Sequence, residues 1–164
     1  MCGIFGILTQ TGDVRDKILE GLKQLQNRGY DSCGMGLLEG DNFIIQKYAQ
    51  DIPKNISALD ELRRNSKKLK NKYTIGIGHN RWATHGEKSD KNAHPHISNN
   101  SNFIIVHNGI IENYSIIKRR LIESEKYIFT SQTDTEVIVA LLEYHYKSNR
   151  NTTYAISKTI NELV

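Results

Sequence analysis

Strand-like and helix-like segments follow one another in this chain without the strict alternation of a doubly wound sheet, and that order points to a layered α+β domain. Gly3-Ile-Phe-Gly-Ile-Leu-Thr9 is a short apolar run that reads as a buried first strand. Asp13 can cap a following helix whose apolar face is Val14, Ile18, Leu22 and Leu25, and which ends at Asn27-Arg28-Gly29. Gly34 to Leu38 and Phe43 to Tyr48 flank Glu-Gly-Asp-Asn, a hairpin signature. Pro53 breaks the chain before a helix through Leu59 and Leu62. Tyr73 to Gly78 reads as a strand that runs into a polar stretch from His79 to Asn102. Phe103-Ile-Ile-Val-His107 is the next strand, ending at Asn108-Gly109. Three helices follow: one with Tyr114, Ile117 and Leu121 on one side, one from Thr135 to Tyr146 behind a Thr133/Glu136 capping box, and one from Thr152 to Leu163.

A length of 164 residues suits one domain with one core. Hydrophobic content of 38% and charged content of 24% belong to the globular class, not to disordered or fibrous chains. No apolar run approaches the ~20 residues of a membrane span. The start of the chain also lacks the basic-then-apolar layout of a secretory signal, so cytoplasmic residence is expected.

Net charge is +4 and the sequence pI about 9.0, much of it from Arg63, Arg64, Lys67, Lys68, Lys70 and Lys72. Leu59, Leu62 and Leu69 recur among these charges at helical spacing, so the run reads as the solvated side of a helix. It contains no aromatic residue for base stacking, and no nucleic-acid partner is expected. His79, His85, His94 and His96 raise the question of zinc, but their spacing matches neither the HExxH pattern nor a Cys/His ligand set, so no metal or other cofactor is expected.

Cys2 and Cys33 form no CxxC pair and no disulfide framework; each is a buried small hydrophobe or a reactive thiol. Cys2 differs in that removal of Met1, favoured before a small residue, puts a thiol and a free α-amine on one residue. A free thiol of pKa about 8.5 is only a few per cent ionised at pH 7, and an α-amine of pKa about 7.7–8.0 can accept its proton, through a water. Other segments are ambiguous by themselves. Asn27-Arg-Gly-Tyr-Asp-Ser-Cys-Gly34 reads by itself as a helix C-cap at Gly29 followed by a polar turn. Gly78-His-Asn-Arg-Trp-Ala-Thr-His-Gly86 reads as a loop after a strand, with Arg81 a solvated charge and Trp82, the only tryptophan, a packing residue. Asn108-Gly109 is a common turn signal, yet an Asn amide and a Gly N–H can also both face a developing oxyanion. Asp134 either favours a helix dipole or holds a substrate ammonium.

Six segments stand in one order: Cys2-Gly-Ile-Phe-Gly6, Arg28-Gly-Tyr-Asp-Ser-Cys-Gly34, His79-Asn-Arg-Trp-Ala-Thr-His-Gly86, Asn92-Ala-His-Pro-His96, His107-Asn-Gly-Ile-Ile-Glu-Asn113 and Thr133-Asp-Thr-Glu-Val137. Their order and wording resemble the glutaminase domain of the glutamine–fructose-6-phosphate aminotransferase (glucosamine-6-phosphate synthase) family, a branch of the class II glutamine amidotransferases. The resemblance runs from Cys2 to at least Leu142. The amidophosphoribosyltransferase branch, which usually differs at Tyr30 and around Arg81, is the alternative, and a non-catalytic glutamine-binding remnant is another.

The resemblance implies an N-terminal-nucleophile hydrolase fold, a four-layer αββα sandwich, incomplete at the C-terminus. It implies that residues 1–164 are a truncated glutaminase domain, with the ammonia-consuming isomerase domain absent. Cys2 would be the nucleophile and its own amine the general base, with Asn108 and Gly109 as oxyanion hole. Arg81 would bind the α-carboxylate of glutamine, assisted by Thr84 and His85, and Asp134 the α-ammonium, with Gly109 nearby. Arg28 and Gly29 would shape the surroundings of the nucleophile, and Trp82 would belong to a loop closing over the substrate. L-Glutamine is the implied ligand, an isomerase domain or subunit the implied partner; the oligomeric state is left open.

Overall fold

The computed structural model describes residues 2–69, 71–83 and 86–164, which divide into two compact units. The first comprises the chain up to Pro95 together with Val106–Asn108; the second comprises His96–Ile105 and Gly109–Val164.

In the first unit, strands β1 (Gly3–Leu8), β2 (Ser32–Glu39), β3 (Asn42–Ala49) and β4 (Ile75–Arg81) form one antiparallel sheet in the order β1-β4-β2-β3. Helices α1 (Arg15–Gln24) and α2 (Ala58–Ser66) pack on it. The local chemistry sets the boundaries. Asp13 Oδ1 accepts the Arg15 N–H at 3.1 Å, and Ser57 Oγ accepts the Asp60 N–H at 3.1 Å, so each helix starts with an otherwise orphan donor satisfied. Glu39 pairs with Asn42, leaving Gly40-Asp41 as a two-residue turn with Gly40 at φ +58°, a conformation that costs glycine no Cβ clash.

Strand period two explains how α1 lies so close to the sheet. A Cβ on Gly78 would meet Ile18 Cγ2 at 2.7 Å, and one on Gly76 would meet Ile18 Cδ1 at 2.5 Å. The bare backbone of β4 therefore receives the apolar stripe of α1. Cys33, Met35 and Leu37, which pair with Asn80, Gly78 and Gly76, lie on the same face and share a core with Val14, Ile18, Leu22 and Leu62. Fully burying one such Leu or Ile is worth roughly 1.5–3 kcal/mol. The opposite face of β4 carries Ile77, His79 and Arg81.

The second unit joins a two-stranded antiparallel sheet, β5 (His96–Ile97) and β6 (Ile104–Ile105), to α3 (Tyr114–Glu125), α4 (Thr135–Asn149) and α5 (Thr152–Glu162). Leu121, Val137, Ala140 and Leu141 form its core with Ile117 and Tyr127. Glu143 is fully buried and accepts the Asn100 N–H at 3.1 Å and the Asn102 Nδ2–H at 3.0 Å, which pins the β5–β6 connection to α4. Each unit, taken by itself, thus packs helices with a β-sheet, as expected of an α+β chain.

Several local expectations are corrected. Strand β4 spans Ile75–Arg81, so His79-Asn-Arg is sheet and not loop. The strand expected over Phe103–His107 shortens to Ile104–Ile105. Leu69 lies beyond the end of α2 at Ser66. The capping box does not form. Glu136 takes the N–H groups of Thr130 at 2.8 Å and Ser131 at 2.7 Å, and Thr133 Oγ1 meets His96 Nε2 at 2.8 Å, so both side chains hold the incoming loop and the sheet instead of the helix start. Among the described residues no helix is long and apolar enough to cross a membrane.

Candidate active site

Antiparallel pairing of Gly3 with Asn80 brings Cys2 beside the end of β4. There the Trp82 N–H donates to Cys2 Sγ at 3.2 Å, and the thiol lies 3.6 Å from the Trp82 carbonyl. On the backbone of the same residue, Asn108 Nδ2 donates to the Cys2 carbonyl at 3.1 Å. The first unit alone therefore assembles Cys2, Trp82 and Asn108. Asn108 and Trp82 are exposed and Cys2 is partly so, which leaves the sulfur accessible. The second cysteine is a different case: Cys33 is buried in the core and burial pushes its thiol up to about 12. It is inert packing.

Four further residues of the Arg28–Gly34 segment bear on this corner. Arg28 ends a 3₁₀ turn, Gln26–Arg28, with its side chain exposed. Gly29 is extended at φ 178°, not the left-handed C-cap that its position suggested. Its lack of a side chain is needed for another reason: a Cβ there would stand 2.7 Å from the Arg81 carbonyl carbon and 2.8 Å from the Trp82 nitrogen. Asp31, not singled out from sequence, is buried; its N–H donates to the Arg81 carbonyl at 3.1 Å and its Oδ2 accepts the Ala83 N–H at 2.8 Å. Lys88 pairs with its other oxygen at 2.6 Å, and this hydrogen bond raises the Lys88 ammonium above its ordinary range. Asp31 thus fixes both sides of Trp82. The Trp82 and Tyr30 rings meet edge to face at 5.4 Å, an exposed aromatic pair beside the thiol.

Arg81 closes β4 and is buried, with Nη1 3.5 Å from the Glu87 carbonyl. Thr84 and His85 lie outside the described residues, as does Met1. Gly109 and Asp134 belong to the second unit. Gly109 follows Asn108 in the chain and leads toward α3, not into a hairpin. Asp134, the residue before α4, accepts the Ile111 N–H on Oδ2 at 2.8 Å.

The metal-candidate histidines among the described residues, His79, His94 and His96, have other partners. His79 Nε2 lies 2.8 Å from Asn108 Oδ1, and its ring stacks on that of His94 with centroids 4.3 Å apart. Burial lowers His79 to about 4, against a partial rise from its bond to Asn108, so the ring is neutral at physiological pH. Sequence reasoning did not attach His79 to the site; the signal was its place two residues before Arg81, on the same face of one strand. A cavity of about 740 Å³ lined by Tyr48, Asp51, Pro53, Arg64 and Lys88 includes none of the residues expected to bind substrate.

Comparison with known proteins agrees with this geometry. A family model described as a glutamine amidotransferase domain matches residues 46–152. The chain is 46% identical over 165 aligned positions, 99% of its own length, to glutamine–fructose-6-phosphate aminotransferase [isomerizing] of Caldanaerobacter subterraneus. It is 39% identical, over 99% of its length, to the enzyme of the same name from Vibrio cholerae. It spans 25% of each of these relatives, about a quarter of their length. Among solved structures, the glutamine phosphoribosylpyrophosphate amidotransferase of B. subtilis superposes with a TM-score of 0.77 at 25% identity, covering 99% of this chain and 33% of that one. With the Cys2 thiol held against a strand-end backbone, an amide beside it, and a family model that covers most of the sequence, the chain belongs to the glutamine amidotransferase domain family.

Proposed function

We propose that this chain hydrolyses L-glutamine to glutamate and ammonia through a γ-glutamyl thioester on Cys2, as the glutaminase part of a glutamine–fructose-6-phosphate aminotransferase working in the cytoplasm. The observation that carries the reading is the meeting of Cys2 Sγ, the Trp82 N–H and the Asn108 amide at one corner of the sheet. The amine of Cys2, free once Met1 is removed, takes the thiol proton. The thiolate attacks the side-chain amide carbon of glutamine, and the Asn108 amide and Gly109 N–H stabilise the tetrahedral oxyanion. The protonated amine passes its proton to the departing nitrogen, ammonia leaves, and the thioester remains. A water, deprotonated by the same amine, then attacks the thioester and releases glutamate and the thiolate.

In this reading Arg81, with Thr84 and His85, binds the α-carboxylate, and Asp134 binds the α-ammonium. Gly29 and Arg28 shape the wall behind Cys2, and Trp82 closes over the substrate. Residues 1–164 supply the glutaminase domain, and the ammonia acceptor is an isomerase domain or subunit like that named in the isomerizing relatives. The test is release of glutamate and ammonia from L-glutamine by the Met1-free chain. Equimolar products in the wild type and none in Cys2→Ala support the reading. Turnover that survives in Cys2→Ala refutes it. Identity of 46% to a fructose-6-phosphate enzyme favours that acceptor over phosphoribosylpyrophosphate.

A further inference from the structure

The orientation of the Asn108 amide is set by a chain of three residues within the first unit, and this inference rests on the oxyanion role proposed for Asn108. The Cys2 carbonyl can only accept a hydrogen bond, so the atom of Asn108 facing it at 3.1 Å is the amide nitrogen. The amide oxygen then faces His79 Nε2 at 2.8 Å, and that nitrogen must carry a hydrogen. This assignment satisfies both ends of the Asn108 amide. We propose that His79 is a positioning residue for the reaction: its Nε2–H fixes the rotation of the Asn108 side chain, so that one amide N–H holds the Cys2 carbonyl and the other is presented to the oxyanion.

The surroundings of His79 suit this task. It lies on the central strand β4, paired on both sides, with Ile4 on β1 and Gly34 on β2 opposite it. Its ring is almost fully buried and lies against His94, whose Nδ1 in turn accepts the His107 N–H at 3.4 Å. Gly34 makes the room: a Cβ there would stand 2.1 Å from the His94 carbonyl oxygen. Ring position and the backbone just before Asn108 are therefore fixed together. Without the imidazole N–H, a half-turn of the amide would aim its oxygen at the Cys2 carbonyl or at the oxyanion, and an acceptor there opposes the developing charge. Burial also keeps the imidazole neutral, which fixes a single N–H on the ring without placing a cation beside Arg81.

The test compares His79→Gln and His79→Met, side chains of similar length with and without an amide N–H, each in the wild-type and Asn108→Ala backgrounds, in the glutaminase assay. Asn108→Ala alone should lower kcat about 100-fold, the loss of one oxyanion donor; if it does not, the oxyanion reading itself fails. Given that loss, His79→Met should lower kcat about tenfold or more with KM for glutamine within about twofold, and His79→Gln should recover most of it. On Asn108→Ala the Met substitution should change kcat less than about twofold, because the group being oriented is gone. An equal loss in both backgrounds, or equal loss in the Gln and Met variants, overturns the positioning role while leaving the oxyanion reading intact.

Discussion

The backbone N–H of Trp82 lies 3.2 Å from the sulfur of Cys2, although the two residues are 80 positions apart. The β1–β4 ladder creates that distance: Gly3 faces Asn80, so Cys2, one step outward on its strand, and Trp82, two steps outward on the other, arrive at the same corner. The position of the Cys2 thiol is thus a property of sheet register, and a slip of one residue would move it to the other face.

Cysteine alkylation should distinguish the two thiols. Iodoacetamide at neutral pH is expected to modify Cys2 and spare Cys33, which is buried with its thiol pushed up to about 12. Cys33→Ala should retain glutaminase activity while losing about 1 kcal/mol of stability, measured by urea unfolding. Loss of turnover in Cys33→Ala with the fold intact would give this thiol a role that its burial denies.

Gly29→Ala tests the packing behind the nucleophile. The added Cβ would lie under 3.0 Å from backbone atoms of both Arg81 and Trp82, and backbone cannot swing aside as a side chain can. Destabilisation of about 1–3 kcal/mol is expected, with a fall in kcat as Trp82 is pushed from Cys2. Wild-type kcat and melting temperature in this variant would show that the segment has slack.

Substrate recognition should divide between two charges. Asp134→Asn keeps an acceptor for the Ile111 N–H but removes the negative charge, so stability should hold while KM for glutamine rises about 10- to 100-fold. Arg81→Ala should also act chiefly on KM, because a bond to the α-carboxylate exists in ground and transition states alike. Glutamine within a peptide, which lacks both charges, should be a poor substrate. A pure kcat effect in either variant would contradict these assignments.

The buried imidazole of His79 predicts a pH dependence of folding. Its folded pKa of about 4 lies below the unfolded value of 6.5, so between these values the unfolded chain binds more protons. Stability from this group is then complete above about pH 6.5 and falls as pH drops toward 4, by up to about 3 kcal/mol in all. The hydrogen bonds to the Asn108 side chain and the His107 backbone oppose the depression by burial, while the charges of Arg81 and His107 add to it. Urea unfolding between pH 4 and 7 should show a shallower slope in His79→Gln than in the wild type; identical slopes would mean that His79 does not titrate as described.

Elements whose cause is local were legible in the sequence. The Gly40-Asp41 turn, the break at Pro53 and the apolar stripe of α1 stand where short-range pattern put them. Elements decided by distant partners were not. Glu136 has the spacing of a capping box but meets stronger claims from Thr130 and Ser131, and Gly29 looks like a helix cap but answers to the backbone of Arg81. For the site, Cys2 and Asn108 could be named from motif wording, but the hydrogen bond from the Asn108 amide to the Cys2 carbonyl, 106 residues away, could not. The roles of His79 and Asp31 depend on contacts 29 and 52 residues away, which no local pattern encodes.

The most direct measurement is intact mass of the Met1-free chain before and after 6-diazo-5-oxo-L-norleucine, an electrophilic analogue of glutamine. A single adduct on every chain is expected, mapping to Cys2 by peptide sequencing, slowed by L-glutamate and absent from Cys2→Ala. A folded, Met1-free chain that stays unlabelled, or that carries the adduct elsewhere, would contradict the assignment of Cys2 as nucleophile.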